Sequence, residues 1–315
     1  MRRIVKRIRP WLLAALIIGA TLLAIERWTL RDTLQVFAFV YYFAQPAVIA
    51  GIFLIAAGLA WRDRRRRVSR LALAAGLGFG ALWASTSFAF RAVESPVAPH
   101  RAVVWNVMSG RLGWEAIYHQ LGELNADVIV MVEAWEDPET AATLRRKYLP
   151  GFVAASEQGG LVILSRHGAA DVSFGPLGRG SRFLAATLRM DGRRMRVMGV
   201  DIESDPRRFR KLPLTDLATT GRLMDDIPLL IAGDFNTPAD SVHFDAMRTF
   251  LRNGFESVGA GYGPTWPSFA PVLGLDQFWF SQDIDARSCR GVWTAHSDHR
   301  PVVFEFELRA PSDPS

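Results

Sequence analysis

Three long apolar runs near the amino terminus constrain the fold of this 315-residue chain more than any other feature. A helix needs about 20 residues to cross the hydrocarbon core of a bilayer. The runs predict three membrane-spanning helices, at about 9–29, 34–60 and 71–90, within a membrane region at 1–92. Pro46 lies inside the second run and predicts a kink there, because it lacks an amide hydrogen. We therefore expect the first third of the chain to bind a lipid bilayer.

The basic residues predict the orientation of this region. Residues 1–90 hold 13 of the Lys and Arg residues against three acidic ones. The cations cluster before the first run and between the second and third runs, and basic flanks of this kind stay in the cytoplasm. Three crossings would then place the chain after residue 91 on the other side. The prediction is a multi-pass protein of the plasma (inner) membrane, with the rest of the chain on the periplasmic or extracellular side.

The remainder of the chain has the opposite charge balance. Subtracting 13 and 3 from the totals of 37 basic and 31 acidic residues leaves 24 and 28 for residues 91–315, a net charge of −4. Tight binding of a polyanion depends on clustered cations, so this balance argues against a general nucleic-acid binder. A local basic stripe of Arg193, Arg194, Arg207, Arg208, Arg210 and Lys211 keeps a nucleic-acid substrate open.

After a linker at 93–101 the pattern changes to short strands alternating with helices, which predicts a soluble domain at 102–309 and a tail at 310–315. Strands are predicted at 102–107, 127–132, 161–165, 182–190, 194–200, 229–232, 276–281 and 302–308, and helices at 114–124, 139–147, 214–225 and 241–253. So many strands with so few helices predict an α/β fold of two packed sheets flanked by helices. The lone Cys289 permits no intramolecular disulfide and is expected in the core.

Polar side chains recur where these strands begin or end. They are Asn106, Glu133, Asp234, Asn236, Asp298 and His299. Each alone could be a turn former, a helix cap or an exposed strand end. Together they indicate a site at one edge of the sheets, with the oxygen ligands that a hard divalent cation prefers.

Six motifs surround these residues. In order, they are Trp105-Asn106-Val107, Val132-Glu133, Leu161–Arg166, Gly233–Asn236, Leu275–Ser281 and Ser297–His299. They resemble the motifs of the endonuclease/exonuclease/phosphatase family. The resemblance covers about 102–308. It implies a four-layer α/β sandwich and the Mg²⁺-dependent (or Mn²⁺-dependent) hydrolysis of a phosphoester, and the metal ligands it implies are Glu133, Asn106 and Asp298.

The resemblance also implies the catalytic roles. Asp234 would orient or deprotonate the attacking water, and Asn236 would hold a phosphoryl oxygen. His299 would stabilise the pentacoordinate transition state, with Asp276 as its hydrogen-bond partner.

One position departs from the family pattern. Family members often carry His in a Val-His-Leu type segment, where this chain has Gly199-Val200-Asp201. A carboxyl group could donate a proton to the leaving group only if its pKa were raised considerably. Asp201 is therefore predicted either to be a weak proton donor or to be a second metal ligand.

Three more side chains are candidates for substrate binding. Arg166 and Arg182 lie at strand ends, where the planar guanidinium could bind a phosphate, although either could equally be a solvated surface charge. Trp266 could form one wall of the substrate cleft or pack within its loop.

The leading hypothesis is a membrane-anchored, metal-dependent phosphodiester hydrolase. Its substrate could be a nucleic acid, a lipid head group or a small phosphorylated molecule. The alternatives are a nuclease proper and a catalytically weak binding or sensing module of the same fold. Nothing in the sequence indicates a protein partner.

Overall fold

The computed structural model describes residues 2–91, 98–178 and 180–309, so the tail at 310–315 and most of the predicted linker lie outside the described residues. The chain divides into two compact units. The first comprises Met1–Phe88 and Pro206–Phe209, and the second comprises Ala89–Asp205 and Arg210–Ser315.

The first unit contains four helices. They are α1 (Arg2–Thr29), α2 (Gln35–Phe43), α3 (Pro46–Arg62) and α4 (Arg66–Ser87). Two stretches are long and apolar enough to cross a membrane, Ile8–Thr29 in α1 and Arg66–Ser87 in α4. The first and third predicted spans therefore have helical counterparts, although α4 begins before residue 71 and ends before residue 90.

The predicted second span is not one continuous helix. The axes of α2 and α3 differ by 64°, so the pair is either one broken span or a re-entrant loop. Pro46 is the first residue of α3. A proline has no N–H for the preceding turn and its ring clashes there, so it starts a new helix more readily than it continues one. The predicted kink is thus a complete break.

The second unit contains two six-stranded sheets. The strands are β1 (His100–Asn106), β2 (Val128–Val132), β3 (Val153–Gln158), β4 (Leu161–Ser165), β5 (Ala169–Pro176), β6 (Arg182–Met190), β7 (Arg193–Asp201), β8 (Leu229–Asp234), β9 (Arg252–Asn253), β10 (Asp276–Phe280), β11 (Ile284–Gly291) and β12 (Val302–Leu308). The helices are α5 (Trp114–Glu123), α6 (Pro138–Tyr148), α7 (Lys211–Leu223), α8 (Asp245–Arg248) and α9 (Gly254–Val258).

The sheets pack face to face and carry helices on their outer sides. The strand orders are β11-β12-β1-β2-β4-β3 and β9-β10-β8-β7-β6-β5. One apolar cluster, which includes Val104, Val130 and Leu184, fills the space between the sheets. Two further clusters join the outer face of each sheet to α5 and to α7. The predicted four-layer α/β sandwich is confirmed.

Some predicted elements differ from the structure. Strands β3, β5 and β11 were not predicted; β5 is largely exposed, so it has no apolar run to reveal it. The predicted helix at 241–253 is wrong. That segment contains a 3-10 turn at Val242–Phe244, the short helix α8 and strand β9, because Arg252 and Asn253 pair with β10 and the Asn253 side chain caps α9.

Candidate active site

The strand directions bring all but one of the predicted site residues to one edge of the sandwich. Strands β1 and β2 are parallel, so Asn106 and Glu133 lie together where these strands end. In the other sheet the parallel strands β7 and β8 place Asp201 opposite Asp234. The antiparallel strand β10 places Asp276 opposite Asp234 on its other side. Residues from two sheets therefore share one edge.

Asn106 links the two sheets. Its Nδ2 donates to Glu133 Oε1 at 3.0 Å and to Asp234 Oδ2 at 2.9 Å, while its Oδ1 accepts from the Met108 N–H. The amide nitrogen, not the oxygen, thus faces both carboxylates, and the predicted role of Asn106 as a metal ligand would require the amide to turn round. Glu133 has a positive backbone φ of 54°, a conformation that residues other than glycine rarely adopt. Such backbone strain is concentrated at functional sites.

His299 and Asp276 form a buried pair. The Nδ1 of His299 lies 2.8 Å from Asp276 Oδ2, and its Nε2 lies 3.8 Å from Asp234 Oδ2. Burial alone would lower the pKa of His299, but the charges of Asp276 and Asp234 outweigh it and raise that pKa to about 10. The imidazole is therefore protonated at neutral pH, as the predicted role of His299 requires.

Asp234 lies at the centre of the cluster and is 1% exposed. Burial raises its pKa to about 6, against the opposing charge of His299. The other carboxylate oxygen, Oδ1, accepts the Asn236 N–H at 2.9 Å. Asp234 is thus ionised at neutral pH and fixed through both oxygens, as a group that accepts a proton from water must be.

Asn236 is held by its own set of contacts. It has a φ of 45°, and its Nδ2 donates to the Ile202 carbonyl at 2.8 Å, which engages one of the two amide hydrogens. The buried Arg210 lies against the Asn236 carbonyl and donates Nη1 to the Asp205 carbonyl at 2.9 Å. Arg210 therefore helps to position the turn that carries Asn236.

Asp201 and Arg182 are paired beside Asp234. Arg182 Nε lies 3.3 Å from Asp201 Oδ2, and Arg182 Nη1 donates to the Gly159 carbonyl at 2.9 Å. Burial and the charge of Asp234 raise the pKa of Asp201 to about 7, although Arg182 opposes the shift. A raised pKa is the condition that the sequence analysis set for proton donation by Asp201, and both of its predicted roles stay predictions.

The loops before β10 and β12 complete the edge. Trp266 Nε1 donates to Asp298 Oδ2 at 3.3 Å, and the indole lies 6.5 Å from the His299 ring. Ser297 donates Oγ–H to the Asn106 carbonyl at 2.7 Å and accepts the His299 N–H at 3.1 Å. Trp266 and Asp298 thus lie beside the cluster.

Sequence reasoning missed Ser297 and Arg210 as site-supporting residues. Ser297 stands inside the Ser297–His299 motif, which was a usable signal. No signal distinguished Arg210 from its basic neighbours, because only the fold buries it, to 1% exposure.

The structure does not bring Arg166 to this site. Ser165, its neighbour, pairs with Val128 at the start of β2, whereas Glu133 follows the end of β2. Arg166 instead binds the Ala126 carbonyl and Asn125 Oδ1. Its predicted role in substrate binding is therefore wrong, because antiparallel β4 carries it to the opposite edge.

The predicted basic stripe is also divided. Arg193 and Arg194 begin β7, at the edge opposite Asp201, and Arg194 forms an ion pair with Asp171 at 2.7 Å. Arg210 is buried. These residues do not form one continuous cationic surface, which weakens the case for a polyanion substrate.

The distances permit a second metal-binding arrangement. One ligand atom each from Asp234, Asp276 and His299 lie within 4.8 Å of one another, so this group could hold a cation. A protonated imidazole has no lone pair for a metal, however. In this structure Nδ1 of His299 is already hydrogen-bonded to Asp276 Oδ2 at 2.8 Å, which is the arrangement of a hydrogen-bonded pair.

Comparison with known proteins agrees with this geometry. Residues 103–299 match the Endonuclease/Exonuclease/phosphatase family. One similar solved structure is a Bacteroides thetaiotaomicron mannosyl-6-phosphatase, with 12% identity, a TM-score of 0.56 and coverage of 66% of this chain and 100% of that chain. Another is the catalytic domain of human Nocturnin with bound sulfate, with 17% identity, a TM-score of 0.53 and coverage of 67% of this chain and 94% of that chain. A third is D. rerio TDP2 complexed with a single-strand DNA product, with 14% identity, a TM-score of 0.54 and coverage of 66% of this chain and 99% of that chain.

No curated protein sequence matches the chain. At these identities the solved structures establish the fold only, whereas the family match spans more than half of the chain and ends at His299. The chain belongs to the endonuclease/exonuclease/phosphatase family.

Proposed function

We propose that this protein is a membrane-anchored, divalent-metal-dependent phosphodiester hydrolase. The observation that carries the proposal is the hydrogen-bonded chain from Glu133 through Asn106 to Asp234, next to the His299–Asp276 pair. Members of the family hydrolyse phosphoesters. In this chain an acid–base group, Asp234, and a cationic group, His299, are both buried at the same edge of the sheets.

The charges of the site fit a divalent cation. Two cationic side chains, Arg182 and His299, face a set of five carboxylates: Glu133, Asp201, Asp234, Asp276 and Asp298. A magnesium ion prefers oxygen ligands and binds through one or two carboxylates. Glu133 would be its principal ligand, with Asp298 and Asn106 nearby. When bound, the ion would neutralise charge on the phosphoryl oxygens.

The side chains of the site would then divide the hydrolysis between them. Asp234 accepts a proton from water as the water oxygen bonds to phosphorus. His299 stabilises the negative charge on the phosphoryl group, and Asn236 donates an amide N–H to one of its oxygens. The bond from phosphorus to the leaving oxygen breaks, and Asp201 donates a proton to that oxygen. Arg182 and Trp266 contact the bound phosphoester.

The first test is metal dependence. With bis-p-nitrophenyl phosphate, we expect the full-length protein in detergent to show activity that rises with Mg²⁺ or Mn²⁺ and is lost in EDTA. Glu133→Gln removes the principal ligand charge, so it should shift the metal titration to about tenfold higher concentration. If the wild-type signal never exceeds that of Asp234→Ala, the protein is instead a binding or sensing module.

The role of Asp201 predicts a dependence on the leaving group. Asp201→Asn cannot donate an acidic proton, so it should slow hydrolysis of an alkyl phosphodiester by about 10². The same variant should slow bis-p-nitrophenyl phosphate much less, because p-nitrophenolate leaves without a proton. An equal loss on both substrates, with a shifted metal titration, would identify Asp201 as a metal ligand instead.

The orientation in the membrane has a separate test. Arg9 Nη1 lies 3.2 Å from Asp63 Oδ1, which places this cation beside the α3–α4 turn and the cations of that turn. Arg9 and the turn would both face the cytoplasm if α2 and α3 together cross once. We expect a periplasm-active reporter to be active after Ser315 and inactive after Asp63. The reverse pattern would contradict the proposed orientation.

A further inference from the structure

Four exposed apolar side chains lie on loops at the sheet edge that carries the site. We call them the apolar rim: Leu112, Trp135, Phe269 and Trp293, which are 52%, 57%, 84% and 67% exposed. Large apolar side chains that are solvent-exposed at one edge of a fold mark a binding surface. Both exposed tryptophans among the described residues of the second unit belong to it.

Two rim residues lie in loops that follow site residues along the chain. Leu112 lies in the loop after Asn106, and Trp135 is two residues after Glu133. The indole of Trp135 also lies 5.6 Å from the Arg182 guanidinium, which is paired with Asp201. Trp135 therefore borders the mouth of the site, and Leu112 lies on the loop that leaves the same end of the sheet.

The other two rim residues are tied to the Asp298-His299 loop by main-chain hydrogen bonds. Ser268, the neighbour of Phe269, donates its N–H to the Asp298 carbonyl at 2.7 Å. Val292, the neighbour of Trp293, donates its N–H to the Pro301 carbonyl at 2.8 Å. The rim is thus built onto the same loops as the catalytic groups.

We propose, building on the proposed function, that the apolar rim inserts into a lipid–water interface and that the substrate is a phosphodiester lipid. Its head group would enter the site while its acyl chains stay in the lipid phase. Tryptophan and phenylalanine rings favour such interfaces, where Trp offers an apolar body and a polar N–H. A single-stranded nucleic acid could also stack on exposed rings, but it requires a cationic groove, and this site carries an excess of carboxylates.

Charge supports the same choice. The chain after residue 90 has a net charge of −4, from 24 basic and 28 acidic residues. Such a surface has no electrostatic attraction for a polyanion, whereas a zwitterionic lipid head group presents no net charge to repel. The substrate class that fits both the rim and the charge is therefore a zwitterionic phospholipid with a diester-linked head group.

The test compares two substrates on the full-length protein in Mg²⁺. Diheptanoyl phosphatidylcholine, followed by phosphorus NMR, is compared with water-soluble bis-p-nitrophenyl phosphate. We expect the rate on the lipid to rise once the lipid forms micelles. In the double variant Phe269→Ser/Trp293→Ser the ratio of lipid rate to soluble rate should fall about tenfold, because two apolar groups no longer enter the lipid. The matched control Leu223→Ser, 80% exposed at the far end of α7, should keep the wild-type ratio.

A second readout does not require activity. Because Cys289 is the only cysteine, Cys289→Ala provides a background for single labels. An NBD dye on Phe269→Cys in phosphatidylcholine proteoliposomes should show blue-shifted emission, and the same dye on Leu223→Cys should not.

The outcomes separate the two proposals. Water-like emission at both positions, or an unchanged rate ratio in the double variant, would overturn the interfacial role. If the double variant lost hydrolysis of single-stranded DNA to the same extent, the rim would be a stacking surface for nucleic acid. That result would likewise overturn the interfacial role. A blue shift at position 269 without metal-dependent hydrolysis of any diester would remove the proposed function and leave the interfacial surface standing.

Discussion

Replacing Asp234 by asparagine is expected to lower kcat for a phosphodiester by about 10³, while the KM for substrate changes little. The carboxylate is buried and accepts hydrogen bonds from Asn106 and Asn236, so it is positioned to take the proton of the attacking water. An asparagine cannot accept that proton. It would also place an N–H group against the Asn106 amide, where the wild type has an acceptor.

That second effect calls for a folding control. Thermal unfolding of Asp234→Asn should remain cooperative, with a modest change in melting temperature. Asp171→Asn removes an exposed carboxylate that pairs with Arg194, and it should leave kcat unchanged. A variant of Asp234 that folds and keeps kcat within a factor of about three would show that another group activates the water.

Asp276→Asn should produce the second large loss, on the order of 10³ in kcat. Asp276 holds Nδ1 of His299 at 2.8 Å, and its charge helps to raise the pKa of His299 to about 10. Without that charge the imidazole loses its preference for the cationic form, and Nδ1 is no longer held in one tautomer. The group that stabilises the transition state is then both less charged and less well oriented.

A merely structural role for Asp276 is distinguishable by NMR. In Asp276→Asn the pKa of His299, measured from its imidazole resonances, should fall from about 10 toward the ordinary range, while unfolding stays cooperative. In Asp276→Glu the carboxylate returns, so the pKa of His299 and kcat should both move part of the way back toward their wild-type values. An unchanged pKa of His299 in the asparagine variant would contradict the pairing.

Much of the fold followed from local patterns. Strands with continuous apolar runs, such as Val128–Val132, were predicted because both of their faces are covered. The edge strand Ala169–Pro176 was missed, since its exposed side chains show no such run. The helix predicted at 241–253 failed because pairing of Arg252 and Asn253 with β10 overrides the local helical pattern.

The site divides in the same way. Asn106, Glu133 and Asp234 could be predicted because each stands at the end of a buried strand within a recognisable motif. Arg166 also stands at the end of a buried strand within a motif, but it lies at the opposite edge of the sheet. The local sequence does not determine the direction in which a strand runs. Arg182, which also begins a strand, reaches Asp201 because β6 runs antiparallel to β7.

The sequence by itself determined the chemistry available to this protein: apolar runs long enough to cross a bilayer, and carboxylate, amide and imidazole groups placed at strand ends. These follow from composition and spacing, which are properties of the chain alone. The tertiary structure decided which groups meet. Burial and close carboxylates set the pKa values of Asp201 and His299, and the packing of two sheets brought Glu133 and Asp234 to one amide. Such effects depend on distances between residues far apart in the chain, which local patterns do not specify.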